Sequence, residues 1–218
     1  MKRSLLAVAL AAFFAGGVFA EAEPFRFSIG GGAMFDTANS EAEVFRHPYF
    51  FFMDTEHFGF GAWAFADAKF IELSVGVQGG ILDIEIGREA GEMEYIDEIN
   101  HGSFLAADIN ILLKYPFVFR GGDISVFPLL GAGHHFVTVA NIESDSLRAL
   151  SDLNAWKINF GAGCDLALRE NLFFRLSALG YYRFPSNRER SFQSGMPGSN
   201  ISAGGFGGAL RIGFGLRL

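Results

Sequence analysis

His134 and His135 are followed within about a dozen residues by Glu143, Ser144, Asp145 and Ser146. A histidine beside a hydroxyl and a carboxylate is the raw material of a base-activated nucleophile, the chemistry that cleaves an ester. The spacing works against it, because adjacent residues of a strand point to opposite faces and two such histidines cannot serve one site. These residues make no catalytic set, and the chain is not expected to be an enzyme. The same pair lacks the second, spaced pair of ligands that structural zinc requires, so neither metal nor cofactor is expected. Gly204-Gly205-Phe206-Gly207-Gly208 opens a strand pattern rather than a helix, which removes it as a phosphate cradle. Cys164 stands alone, cannot form an internal disulfide, and reads as a small packing residue.

The elements that would carry any site are strands. Leu210, Ile212, Phe214, Leu216 and Leu218 alternate with Ala209, Arg211, Gly213, Gly215 and Arg217. Period two over nine residues is a strand signature, and a tilted strand needs roughly 9–11 residues to cross a bilayer. Similar alternation runs through Phe25–Phe35, Ile71–Gln78, Ala107–Tyr115, Trp156–Leu168 and Leu172–Leu179. Two further segments, Phe58–Asp67 and Ile124–Val137, have an unclear phase, and Pro128 in the second predicts a β-bulge. Connections alternate strictly between short (67–69, 116–123, 169–171) and long (36–57, 82–103, 138–155, 185–199).

Composition agrees. Phe numbers 26 and Gly 28, mean hydropathy is +0.26, yet the longest uncharged stretch, 124–142, is broken by Pro128, Gly131, Gly133, His134, His135, Thr138 and Asn141. A hydrophobic chain without spanning helices satisfies its backbone in lipid only as a closed barrel. Lys2 and Arg3, an apolar run from Leu5 to Ala15 and the exit Val18-Phe19-Ala20 predict a signal peptide over residues 1–20. Residues 21–218 are then expected to form one all-β, eight-stranded antiparallel transmembrane barrel of up-and-down topology. Its short turns would be periplasmic and its four long loops outside, in the bacterial outer membrane. Of the 17 basic residues, Lys2 and Arg3 lie in the leader, leaving 15 against 24 acidic ones, a net of about −9 that disfavours nucleic acid.

With apolar faces on lipid, the opposite faces carry the charge. Arg26, Lys114, Lys157, Arg175, Arg183, Arg211 and Arg217 oppose Asp36, Glu72, Asp108 and Asp165. An eight-stranded interior is just wide enough for side chains to fill, and buried charges must pair. A lumen ion-pair network is expected from Arg26, Glu72, Asp108, Lys114, Asp165, Arg175, Arg211 and Arg217. A second charged set, Asp83, Glu85, Glu89, Glu92, Glu94, Asp97 and Glu98 against Arg88, predicts an acidic outer loop facing host or envelope partners.

Phe65–Val77, Leu112-Leu-Lys-Tyr-Pro-Phe117, Phe127-Pro-Leu-Leu-Gly131, Gly161-Ala-Gly-Cys-Asp165, Glu170-Asn-Leu-Phe-Phe-Arg175 and the terminal strand resemble a family of small spirochaetal outer-membrane β-barrel proteins. More distantly the chain resembles OmpA/OmpX-type eight-stranded barrels. The resemblance implies a structural barrel without catalytic residues, and a C-terminal strand, 210–218, that the barrel assembly machinery engages. Those barrels usually end in an aromatic residue, whereas this chain ends in Leu218. The function expected is a structural or surface-interaction role with a lumen plugged by ion pairs. A narrow channel for small or apolar solutes ranks second, and a lipid-modifying enzyme third.

Overall fold

The computed structural model describes residues 27–90, 93–142, 154–195 and 198–218. Residues 1–20, expected to be a signal peptide, and Arg26 lie outside them. The described chain is an all-β antiparallel sheet: β1 (Phe27–Arg46), β2 (Tyr49–Ala68), β3 (Ile71–Ala90), β4 (Met93–Lys114), β5 (Phe117–Phe119), β6 (Ile124–Ile142), β7 (Ala155–Ala167), β8 (Leu172–Arg183) and β9 (Ser199–Arg217). One helix, α1 (Asn187–Gly195), precedes β9. Successive strands pair, β4 pairs with β6 past the three-residue β5, and β9 returns to β1, so the sheet closes on itself. The closing register runs from Ser28 opposite Arg217 to Phe35 opposite Leu210 and beyond.

Faces follow the alternation with the usual order reversed. Phe27, Ile29, Leu73, Val75, Ile111, Trp156, Ile212 and Phe214 are exposed on the outside, while Asp36, Glu72, Asp108, Arg175 and Arg211 are buried within. The two unclear segments now have a phase. Trp63, Phe65 and Asp67 point inward and Phe58 and Phe60 outward; Phe127, Leu129 and His135 point inward and Leu130 and Phe136 outward.

Three expectations change. No bulge marks Pro128: its pairing with β7 is continuous from Ile124–Leu166 to His135–Ala155. On its other side, β4 ends at Lys114 opposite Leu129 and β5 begins at Phe117 opposite Val126, so Pro128 faces a break in the ladder. A residue without an N–H fits that gap. The long connections 36–57 and 82–103 are mostly strand, since β1 and β2 pair down to Arg46–Tyr49 and β3 and β4 to Ala90–Met93. The turn placed at 67–69 is shifted, with Asp67 and Ala68 in β2 and Lys69, at φ 49°, in the turn.

Two walls of unequal height result. β1 to β4 run 20 to 22 residues, whereas β7 and β8 run 13 and 12. The tall wall rises from the end opposite the short turns, called here the upper end.

Candidate functional site

The lower interior is organised by Arg175 on β8, which is 1% exposed. Its Nε and Nη2 donate to the two Asp165 oxygens, both at 2.6 Å, a bidentate fork set up by the direct Asp165–Arg175 pairing of β7 and β8. Nη1 donates to Glu72 Oε2 at 2.8 Å and Nη2 to Asp67 Oδ2 at 2.8 Å. Lys114 Nζ closes the group on Asp67 Oδ2 at 2.7 Å. The guanidinium also lies 4.0 Å from the ring centre of Phe65, with Phe127 and Phe173 at 5.0 and 5.1 Å. Glycines opposite make room for these rings: a Cβ at Gly163 would come within 2.2 Å of Phe127, and one at Gly215 within 2.2 Å of Phe173. The aromatic cup and the carboxylates together satisfy a cation held out of water.

Of the residues expected here, Glu72, Lys114, Asp165 and Arg175 come together. Arg217 lies apart, over the Phe173 ring at 5.5 Å, and Arg26 is outside the described residues. Asp67 was missed because Asp-Ala-Lys reads as a turn.

Arg211 occupies the next layer up, donating to Ser74 Oγ at 3.2 Å and lying over Trp63 at 5.4 Å rather than joining an ion pair. Above it, a second cluster links six strands. Asp108 accepts from Lys157 Nζ and lies 3.0 Å from His135 Nδ1; Asp36 accepts from Tyr181 Oη at 2.7 Å and lies 2.8 Å from His57 Nε2. The two imidazoles stack at 5.4 Å, and Lys157 lies 4.7 Å from the Tyr181 ring centre. His135 is 2% exposed, in the interior. His134 points the other way, against Phe136 and Trp156, as the alternation required. Tyr181 was legible, since the inward series Phe173, Arg175, Ser177, Leu179 continues to it.

The upper interior combines an apolar cluster with a capped helix. Ala42, Met53, Leu82, Ile84, Phe104, Ala106 and Val137 form one buried cluster, and Phe192 of α1 packs on it. The helix starts with a capping box: Glu189 N donates to Ser186 Oγ at 3.3 Å and Ser186 N to Glu189 Oε2 at 2.5 Å. Arg183 Nη2 donates to Glu189 Oε1 at 2.7 Å and to Ser40 Oγ. Gln193 Nε2 reaches Glu43 O at 3.2 Å. The sequence Ser186-Asn-Arg-Glu189 is a readable start signal within a segment expected to be only loop.

The acidic set is not a loop. Asp83, Glu85 and Glu89 lie on β3, and Glu94, Asp97 and Glu98 on β4; Glu92 is outside the described residues. Cross-strand register builds two rows on the outer surface, Asn39–Glu56–Asp83–His101 and Glu41–Asp54–Glu85. Glu41 is pushed up to about 7, first by loss of hydration and then by the neighbouring charges of Glu43, Asp54 and Glu89.

Ser144, Asp145, Ser146 and Glu143 fall outside the described residues, so the nucleophile reading gains no geometry. Among the described residues no three His, Cys, Asp or Glu side chains gather as metal ligands, and no helix is long and apolar enough to cross a membrane, which says nothing of strands.

No protein-family model matches the chain, and no curated protein matches its sequence. Solved structures do. The outer membrane protein OprG from Pseudomonas aeruginosa is 13% identical, with 90% of this chain and 97% of that one covered at a TM-score of 0.48. Neisserial surface protein A is 12% identical, with 88% and 97% covered at 0.42. Ail, the attachment invasion locus protein of Yersinia pestis, solved with the heparin analogue sucrose octasulfate, is 16% identical, with 90% and 100% covered at 0.36.

Proposed function

We propose that the chain is an eight-stranded outer-membrane barrel with a closed lumen, β5 being a spur on β6, and that its tall wall serves surface interaction. The observation that carries this reading is Arg175, fully enclosed and bonded to three carboxylates in the interior of a sheet whose outer face is apolar at that level. Lipid outside and paired charge inside is the arrangement of a small membrane barrel rather than of a water-soluble one. Residues 1–20 would direct export, and strand β9 would engage the assembly machinery. The acidic rows of β1 to β3 would favour a basic host or envelope surface.

Planar-bilayer recording of the refolded protein should be silent; stable unitary openings would contradict the closed lumen. Glu72→Ala should lower thermal stability or open a leak, because the remaining cations draw in water, while Glu92→Gln should do neither. If Glu72→Ala changes neither property, the ion pairs do not close the barrel.

A narrow channel is the second reading. It is favoured by the middle layer, where both side-chain atoms of Gln78, Asn110 Nδ2 and Asn159 Oδ1 are buried without a protein partner. The same recordings decide it.

A further inference from the structure

Outside the lumen, the wall carries a furrow of about 480 Å³ that ion pairing does not explain. Register builds it from two cross-strand rows. The lower runs Gly208, Thr37, Phe58, Ile81; the upper runs Phe206, Asn39, Glu56, Asp83. Thr37 and Gly208 keep the floor low, and a Cβ on Gly208 would meet only Leu179 O, at 3.4 Å. Phe206, 66% exposed, and Phe58, 50% exposed, stand on either side as walls.

The lip is anionic and its carboxylates are held in place. Asn39 Nδ2 donates to Glu56 Oε1 at 3.1 Å, and His101 Nδ1 lies 2.6 Å from Asp83 Oδ1. The furrow spans the level at which the outer face changes from apolar to charged. Below the floor stand Phe35 and Leu210, so a chain lying in it continues along the apolar band.

We propose that this furrow binds one membrane phospholipid with a primary ammonium headgroup, an inference that rests on the outer-membrane reading. An acyl chain lies along Gly208 and Thr37 between the two phenylalanines, and the ammonium meets Glu56 and Asp83. Charge selects the head, since two carboxylates repel an anionic lipid. Hydrogen bonding refines the choice: an ammonium offers three N–H donors to carboxylates, whereas a quaternary ammonium offers none.

The test uses the full barrel refolded into nanodiscs of mixed phosphatidylethanolamine and phosphatidylglycerol, released into mild detergent and weighed by native mass spectrometry. One phosphatidylethanolamine should be retained about tenfold more often than phosphatidylglycerol, as a charge-assisted contact would give. Glu56→Gln combined with Asp83→Asn should equalise the two lipids, and Gly208→Leu should reduce retention of both by filling the floor. Heat-modifiable migration on gels checks that each variant is folded. Equal retention by the unaltered barrel, or an unchanged preference in the paired variant, overturns the proposal. Failure of the unaltered barrel to enter nanodiscs at all overturns the membrane reading itself.

Discussion

Strands β1 to β3 carry opposite codes in their lower and upper halves. Below Thr37 the outward residues are Phe27, Ile29, Phe35, Leu73 and Val75, and the inward ones include Ser28, Asp36 and Glu72. Above it the outward residues are Glu41, Asp54, Glu56 and Glu85, while Ala42, Val44, Met53 and Ile84 are buried inside. The pleat is uninterrupted between Thr37 and Glu41, so nothing in the backbone forces the change. On the barrel reading proposed above, what changes is the surrounding solvent. In lipid, the cheap outer face is apolar and polar groups must pair within; in water, burial of the apolar face is favourable and charge belongs outside. β7 and β8 stop near this level and have no upper half to invert.

The largest effect should come from the lower half. Arg175→Ala leaves Asp67, Glu72 and Asp165 facing one another with Lys114 bonded to Asp67 alone. Stranding buried charge costs about 3–5 kcal/mol, so the midpoint of urea unfolding in detergent should drop sharply. A change under about 1 kcal/mol would mean that water already screens the cluster.

The upper half should break differently. Ile84→Ala removes part of its apolar filling, at about 2–5 kcal/mol locally. Limited proteolysis should then cut within the β1–β2 and β3–β4 extensions while the lower apolar band stays protected. Simultaneous loss of both regions would show that they are one cooperative unit rather than two.

A matched pair of substitutions sharpens the contrast. Ile212→Arg, on the outward face of the band, should cost about 2–4 kcal/mol toward the bilayer midplane. Glu85→Arg, outward on the extension, should stay within about 0.5 kcal/mol. Equal costs would erase the distinction between the two surroundings.

The smallest effect concerns pH. Glu41 keeps its proton up to about pH 7 in the folded extension, against an ordinary value of 4.5. Between those values the folded state binds the extra proton, so the extension loses stability as pH rises from about 4.5 to about 7 and levels off above. Amide exchange in β1 and β2, divided by the intrinsic base-catalysed rate at each pH, should speed up over that window, and Glu41→Gln should flatten the corrected change.

Much of the band was legible because alternation in 71–77, 156–168, 172–178 and 210–218 survives every neighbouring detail. That pattern put Glu72, Lys114, Asp165 and Arg175 on shared inner faces, and register brings them together. The extensions were hidden by their own inversion. Ile84-Glu85-Ile86 alternates as well as any strand, but acidic residues on an outer face look like loop when lipid is assumed throughout. His57 was lost for another reason: in Phe58-Gly59-Phe60-Gly61 large and small residues give no polar marker of phase. The α1 helix needed the Ser186–Glu189 capping box to be weighed against a background that otherwise reads as connection.

Site-by-site labelling tests the solvent boundary most directly. In a Cys164→Ser background refolded into vesicles, single cysteines at the outward positions Ile29, Ala33, Phe35, Asn39, Glu41 and Glu43 would be treated with a water-soluble maleimide. The expected result is slow reaction at Ile29, Ala33 and Phe35, which a lipid-soluble quencher reaches instead, and a sharp rise in reactivity from Asn39 upward. Uniformly fast aqueous labelling along all six positions would contradict a bilayer against the lower half and, with it, the inverted code of the two halves.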